Sequence, residues 1–171
     1  VIEDFAFENC DATNFKQFTI SDYVVEIGTA VFRGTKNLAT LVIPFVGKTR
    51  GTNNDDYIDT NEMFGWIYGY VSGETEDNAN YSIEKALKEV TITSDTEIGA
   101  YAFANADDIQ KVTITHTVTE LGSYAFYDSD SLTTVVFDET ISSCGISTIN
   151  DYTFAECDKL NINTLPESVT T

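Results

Sequence analysis

A six-residue phrase recurs along this chain: IEDFAF at 2–7, IGTAVF at 27–32, IGAYAF at 98–103, LGSYAF at 121–126 and INDYTF at 149–154. Self-similarity at a fixed period means that each unit is one supersecondary element. Such a unit cannot bury its own apolar face and must stack on its neighbours. From Phe103 to Phe126 is 23 residues, from Phe7 to Phe32 is 25, and from Phe126 to Phe154 is 28, so one coil takes about 24 residues. Function in such a chain is expected on an extended surface, not in a pocket.

Each phrase opens on an apolar residue (Ile2, Ile27, Ile98, Leu121, Ile149) and carries Phe five positions later (Phe7, Phe32, Phe103, Phe126, Phe154). Three positions in stands an aromatic ring, Phe5, Tyr101, Tyr124 or Tyr152, with Ala30 the exception. The next residue is small or β-branched: Ala6, Val31, Ala102, Ala125, Thr153. A large ring beside so little side chain implies a tight turn or short helical bend where coils approach closely. Three residues after each Phe comes a small residue, Cys10, Thr35, Ala106, Ser129 or Cys157, expected to face the interior.

The chain then alternates apolar and polar residues: Leu38, Leu41, Ile43; Ile109, Val112, Ile114; Leu132, Val135, Phe137. Period two over five or six residues rich in Val, Ile and Thr is the signal of a half-buried strand. The same frame gives Phe15, Phe18, Ile20 and Leu87, Val90, Ile92. It falters in the last coil, where Asn163 takes the place of Leu41 and Val112, which points to a shift of register there. Strands are expected at about 15–20, 39–46, 87–93, 110–115, 132–138 and 160–165. Joined by turns or short helical segments, they make a β-rich α/β right-handed solenoid with one parallel strand per coil.

The pattern I-G-x-Y-A-F-x-x-C-x-x-L-x-x-V-x-I resembles the BspA-like leucine-rich repeats of surface proteins from anaerobic gut and mouth bacteria and some protists. Residues 98–137 match it nearly position by position, and the other coils match with substitutions. The resemblance implies a single leucine-rich-repeat solenoid over 1–171, cut from a longer protein whose export signal and anchor lie elsewhere. It also implies a cell-surface or secreted location, in a bacterium by preference, and adhesion to host extracellular-matrix or other cell-surface proteins. A fold alone does not fix function.

Between Phe32 and Phe103 lie 71 residues with no good copy of the phrase, and 48–86 reads as an irregular insertion. FGWIYG at 64–69 looks like a phrase one residue short. It also resembles an FGYIFG segment that follows an IPFVG strand in bacterial members of the family; IPFVG stands here at 43–47. Residues 64–71 are therefore read as a degenerate coil's outer segment. The rival is a strand, since Leu41, Ile67 and Val90 step by 26 and 23 residues. The stretch 48–62 is polar, a long excursion of the kind that carries function or disorder. Asp55, Asp56, Asp59 and Glu62 are weak calcium candidates. Their spacing is not that of an EF-hand loop, and a solvated acidic loop is the default.

The 28 acidic against 9 basic residues leave a net charge of −19. That sign argues against nucleic acid, whose affinity comes from Lys and Arg on phosphates, and against anionic membranes. No stretch is long and apolar enough to cross a bilayer. Cys10 and Cys157 occupy the same slot in the first and last coils and stand too far apart to bridge, while a Cys144–Cys157 bridge is conceivable and free thiols are the plainer reading. His116 is the lone histidine, and no nucleophile motif, P-loop, dinucleotide fingerprint or zinc spacing accompanies it. Asn80-Tyr81-Ser82 is a glycosylation acceptor only in a eukaryote. No enzyme activity, cofactor or metal is expected.

The outward face of the strands follows from the inward slots. It carries Gln17, Thr19, Ser21; Thr40, Val42, Pro44; Glu89, Thr91, Thr93; Lys111, Thr113, Thr115; Thr134, Val136, Asp138; and Ile162, Thr164, Pro166. The candidate binding residues are Thr91, Thr93, Lys111, Thr113, Thr115, Thr134 and Val136, a Thr-rich, weakly charged face on an acidic chain. Against this stands the plain strand propensity of Thr. Two functions from different classes remain: a monomeric, non-enzymatic adhesion module that binds protein through this face and the loop at 48–62, and a structural spacer stalk.

Overall fold

The computed structural model describes residues 1–51, 62–69, 83–138 and 145–170. Its strands in chain order are β1 Gln17–Thr19, β2 Thr40–Ile43, β3 Glu89–Ile92, β4 Glu97–Ile98, β5 Lys111–Ile114, β6 Glu120–Leu121, β7 Thr134–Phe137 and β8 Thr148–Ile149. Strands β1, β2, β3, β5 and β7 form one parallel sheet in that order, and β4, β6 and β8 a second. The large sheet keeps one register throughout, with Phe18, Leu41, Val90, Val112 and Val135 side by side. This fixed register follows from the period-two pattern, because a slip of one residue would turn every apolar side chain to solvent. The strands are shorter than the alternating runs, which continue into turns at both ends.

The second sheet was not foreseen. Its two-residue strands pair the opening apolar residue of each phrase and the polar residue before it, so Ile98 lies beside Leu121 and Leu121 beside Ile149. Ile2 and Ile27 make the same parallel bridge in the first coils. A pair of residues is too short for periodicity to declare itself.

Beyond this bridge the phrase forms a stacked turn. Phe5, Ala30, Tyr101, Tyr124 and Tyr152 all have φ between 55° and 60°, and four residues later so do Asn9, Asn105, Asp128 and Glu156 within 53–59°, with Gly34 at 76°. Left-handed backbone at a residue bearing Cβ costs about 1–2 kcal/mol, so the geometry must be held from outside the turn. It is held by the next coil. The N–H groups of Tyr101, Phe103 and Asn105 donate to the carbonyls of Ser123, Ala125 and Tyr127 at 3.1, 2.7 and 2.9 Å. Those of Tyr124, Phe126 and Asp128 repeat this on Asp151, Thr153 and Ala155 at 3.1, 2.8 and 3.1 Å. The N–H groups between them close i to i−3 turns, as Ala104 does on Tyr101 at 3.0 Å. The glycine of the phrase is a packing necessity at Gly28, where a Cβ would come within 2.4 Å of the Asp4 backbone nitrogen.

The Phe of each phrase builds a spine of rings through the core. Phe7 stacks on Phe32 at 5.7 Å, Phe103 on Phe126 at 5.2 Å and Phe126 on Phe154 at 5.3 Å. Phe32 meets Tyr68 at 6.3 Å, Tyr68 meets Phe64 at 5.9 Å, and Phe64 meets Phe103 at 4.9 Å. The interrupted coil thus supplies two rings where the others supply one. Strand residues Leu41, Val90 and Val112 and the phrase residues Ile27, Ile98 and Leu121 fill the same cluster.

Residues 64–68 settle as an outer segment. Phe64–Tyr68 is a 3-10 turn, and the segments that join the other described strands, where short helices were expected, are turns. Its carbonyls at Trp66 and Ile67 receive the N–H groups of Ala30 and Phe32 at 2.9 and 2.8 Å, and the Phe64 N–H donates to Ala102 at 2.8 Å. The rival strand is excluded, because β2 pairs directly with β3 and leaves no place between Leu41 and Val90.

The last coil departs from expectation. No strand forms at 160–165; the Asn161 N–H reaches Thr133 at 3.0 Å, but Asn163 and Thr164 are exposed. Ile162 packs against the core and Pro166 is buried, so these two are inward, not outward. Asn163 offers no apolar anchor in the slot of Val112, and Ile162 turns in to replace it. Pro44, placed outward by alternation, is likewise buried, because β2 ends at Ile43 and the chain turns there.

The ring spine sets a stability prediction. Phe126 is fully buried between Phe103 and Phe154, and Phe126→Ala should lower the unfolding free energy by about 3–5 kcal/mol in a denaturant titration. A loss below about 1 kcal/mol would contradict the spine.

Candidate functional site

The large sheet brings the expected binding residues into rows. Thr19, Val42, Thr91, Thr113 and Val136 stand side by side, and Gln17, Thr40, Glu89, Lys111 and Thr134 form the row before them. All seven candidates lie on this face and are half-buried, with the inward residues of the same strands packed in the core. Glu89 and Lys111 are register partners of opposite charge, the favourable cross-strand arrangement.

The seven do not have equal roles. The Thr93 hydroxyl donates to the Ile43 carbonyl at 3.2 Å and also meets the Asp22 carboxylate. The Thr115 hydroxyl donates to the Thr93 carbonyl at 2.9 Å. These two threonines close the C-terminal ends of the strands onto one another. The middle of the face, Thr91, Thr113 and Val136 with Lys111 and Thr134, forms a low surface of hydroxyls, methyls and one ammonium.

Most of the inserted loop lies outside the described residues. Asp55, Asp56 and Asp59 lie outside the described residues, as do Cys144 and Asn80-Tyr81-Ser82. Glu62 is described, just before the 3-10 turn. Among the described residues no three His, Cys, Asp or Glu side chains gather as a metal site.

What ties down the base of the loop is Asp95, which sequence reasoning missed among 28 acidic residues. It is fully buried, and its carboxylate accepts the N–H groups of Val46, Gly51 and Thr96 at 3.0, 3.2 and 3.0 Å. Burial raises its pKa against the pull of these donors and of Arg50. Arg50 spans from Ser94 Oγ at 2.8 Å to the Asp22 carbonyl at 3.0 Å, which secures the loop from outside.

The small slot after each Phe has a defined task. Ser129 Oγ donates to the Phe103 carbonyl at 2.9 Å, and the Cys157 thiol does the same to Phe126 at 2.9 Å. Cys157 is therefore a free thiol, and burial pushes its pKa up. Cys10, expected to face the interior, is exposed, like most residues of its coil. His116 is half-buried beside the turn that follows β5.

Carboxylates crowd the turns. Asp107 is raised in pKa by burial and then by Asp130, Asp128 and Asp108, and Glu97 by burial and then by Glu120, its register partner, and Asp95. For Asp95, Glu97 and Asp107 the folded chain binds the proton more tightly than the unfolded chain. Their stabilising contribution is complete below the unfolded-state value near 4 and is lost as pH rises through the raised folded values. The melting temperature should thus rise as pH is lowered from 7 towards 5, and added salt at pH 7 should recover part of the gain. A melting temperature that falls steadily over that range would contradict this.

Compared with known proteins, the chain matches a family model described as "BspA type Leucine rich repeat region", in six copies, over residues 1–53 and 75–171. No curated protein and no solved structure matches.

Proposed function

This chain belongs to the BspA-type leucine-rich repeat family, and from that premise we propose that it is a non-enzymatic protein-binding module of a cell surface. Its repeats are of a type found in bacterial surface proteins and typically without catalytic activity. No helix among the described residues is long and apolar enough to cross a membrane. The observation that carries the reading is the row Thr91, Thr113, Val136, held in one register by three consecutive strands and flanked by Glu89, Lys111 and Thr134. Repeat stacks present such extended faces to partners. The partner we propose is a host extracellular-matrix or other cell-surface protein, with adhesion as the biological outcome and the loop at 48–62 as a second contact.

The test is binding of the folded chain to immobilised matrix and serum proteins at physiological salt, with and without calcium. Saturable binding to one partner is expected, and Thr91→Glu, Thr113→Glu and Val136→Glu combined should weaken it at least tenfold with an unchanged circular dichroism spectrum. Loss of binding on chelation would add the acidic loop to the interface. Full binding by the folded triple variant would remove the strand face from the proposal, and absence of any binding would favour a structural spacer.

A further inference from the structure

On the turn side of the stack, away from the proposed strand face, the structure carries a second ordered surface. Tyr101, Tyr124 and Tyr152 stack in sequence with ring centres 4.9 Å apart at both steps and planes within 3° and 12° of parallel. The left-handed backbone at each position sets the three rings on the outer layer, where Tyr152 is 61% exposed. Tyr127 packs edge-on against Tyr124 at 5.6 Å and widens the patch. Alongside runs an open cleft of about 170 Å³ lined by Tyr101, Ser123, Tyr124, Asp151 and Tyr152. Three of its five lining residues are tyrosines, and the one acidic residue among them, Asp151, is exposed.

The first two coils show what this position accepts. Where Ala30 supplies no ring to follow Phe5, the guanidinium of Arg33 lies 5.0 Å from the Phe5 ring centre, and its Nε donates to Glu8 at 2.8 Å. The chain thus fills a gap in the ladder with a cation, placed on an aromatic ring and paired to a carboxylate. In the tyrosine coils the residues equivalent to Arg33 are Ala104, Tyr127 and Ala155, so no internal guanidinium comes from that position. The surroundings favour a cation as well. The chain carries a net charge of −19, and Asp107, Asp108, Asp128 and Asp130 lie in the turns that follow the tyrosine phrases.

We infer that the tyrosine cleft docks a basic side chain, arginine or lysine, of a cationic segment on a partner protein. The aliphatic stem lies against the ring walls while the charged head reaches the Asp151 carboxylate and the hydroxyls. Cation and aromatic ring attract beyond the ion pair alone. Long-range attraction by the acidic turns brings the segment in, and the cleft selects the side chain.

The experiment is fluorescence anisotropy with a labelled eight-residue Arg-Ser repeat peptide at 150 mM salt, against the folded chain. Saturable binding is expected. Asp151→Asn and Tyr152→Ala should each weaken it about tenfold, Tyr152→Phe about twofold or less, and Glu3→Gln, a charge loss in the first coil, about twofold or less. Asp151→Asn alters an exposed carboxylate, so it remains informative if the ring deletion fails to fold. Equal weakening by Glu3→Gln and Asp151→Asn would mean diffuse attraction to a polyanion and overturn the inference. So would unsaturable binding, or binding of a neutral oligosaccharide that Tyr152→Ala abolishes while the peptide is ignored.

Discussion

Everything in this structure depends on the alternate N–H groups of the outer turn finding carbonyls in the neighbouring coil. The turn places two left-handed residues four positions apart in each phrase, and most of them are not glycine. In isolation that backbone is unfavourable at every coil. Stacked, Tyr101, Phe103 and Asn105 each gain a partner on the next coil, and Tyr124, Phe126 and Asp128 gain theirs on the one after. No turn can be correct unless its neighbour is, which makes the stability of each coil a property of its interfaces. The ring spine and the five-stranded sheet are the apolar expression of the same repetition, and they fix the spacing at which the turn bonds close.

This arrangement sorts the side chains into faces of different character. The sheet keeps its outward rows Thr-rich and nearly neutral, with Glu89 opposite Lys111. The turns collect carboxylates, and there burial first and the neighbouring Asp130, Asp128 and Asp108 second raise the pKa of Asp107. The same turns carry stacked tyrosines whose lateral cleft is acidic. Each repeat thus carries two surfaces of different composition, a threonine-rich outward strand row and an outer turn bearing stacked tyrosines.

Much of the fold was legible in the sequence. Period two in Leu41–Ile43, Val112–Ile114 and Val135–Phe137 located the central strands, and the recurrent Phe located the spine. The left-handed pair was only half legible: Asn9, Gly34, Asn105 and Asp128 are types that tolerate such backbone, whereas Tyr101 and Tyr124 give no local hint and are held by tertiary bonds. The last coil defeated the alternation because Asn163 broke the pattern and Ile162 turned inward in its place. Asp95 had no local signal, since its three donors come from two separate stretches of chain. For the candidate site, register made the rows of Thr91, Thr113 and Val136 readable in advance. That Thr93 and Thr115 are engaged in backbone hydrogen bonds depended on geometry that no spacing reveals.

The central claim is that the outer turns are as firmly built as the strands. Amide hydrogen exchange followed residue by residue under native conditions tests it directly. The account predicts that the amides of Phe103, Asn105, Tyr124 and Phe126 exchange with free energies close to those of Val112 and Ile114 in the sheet, since coil-to-coil bonds in both layers break in the same opening. Turn amides exchanging orders of magnitude faster than the strand amides would contradict it, and would reduce the turns to loops draped on a sheet.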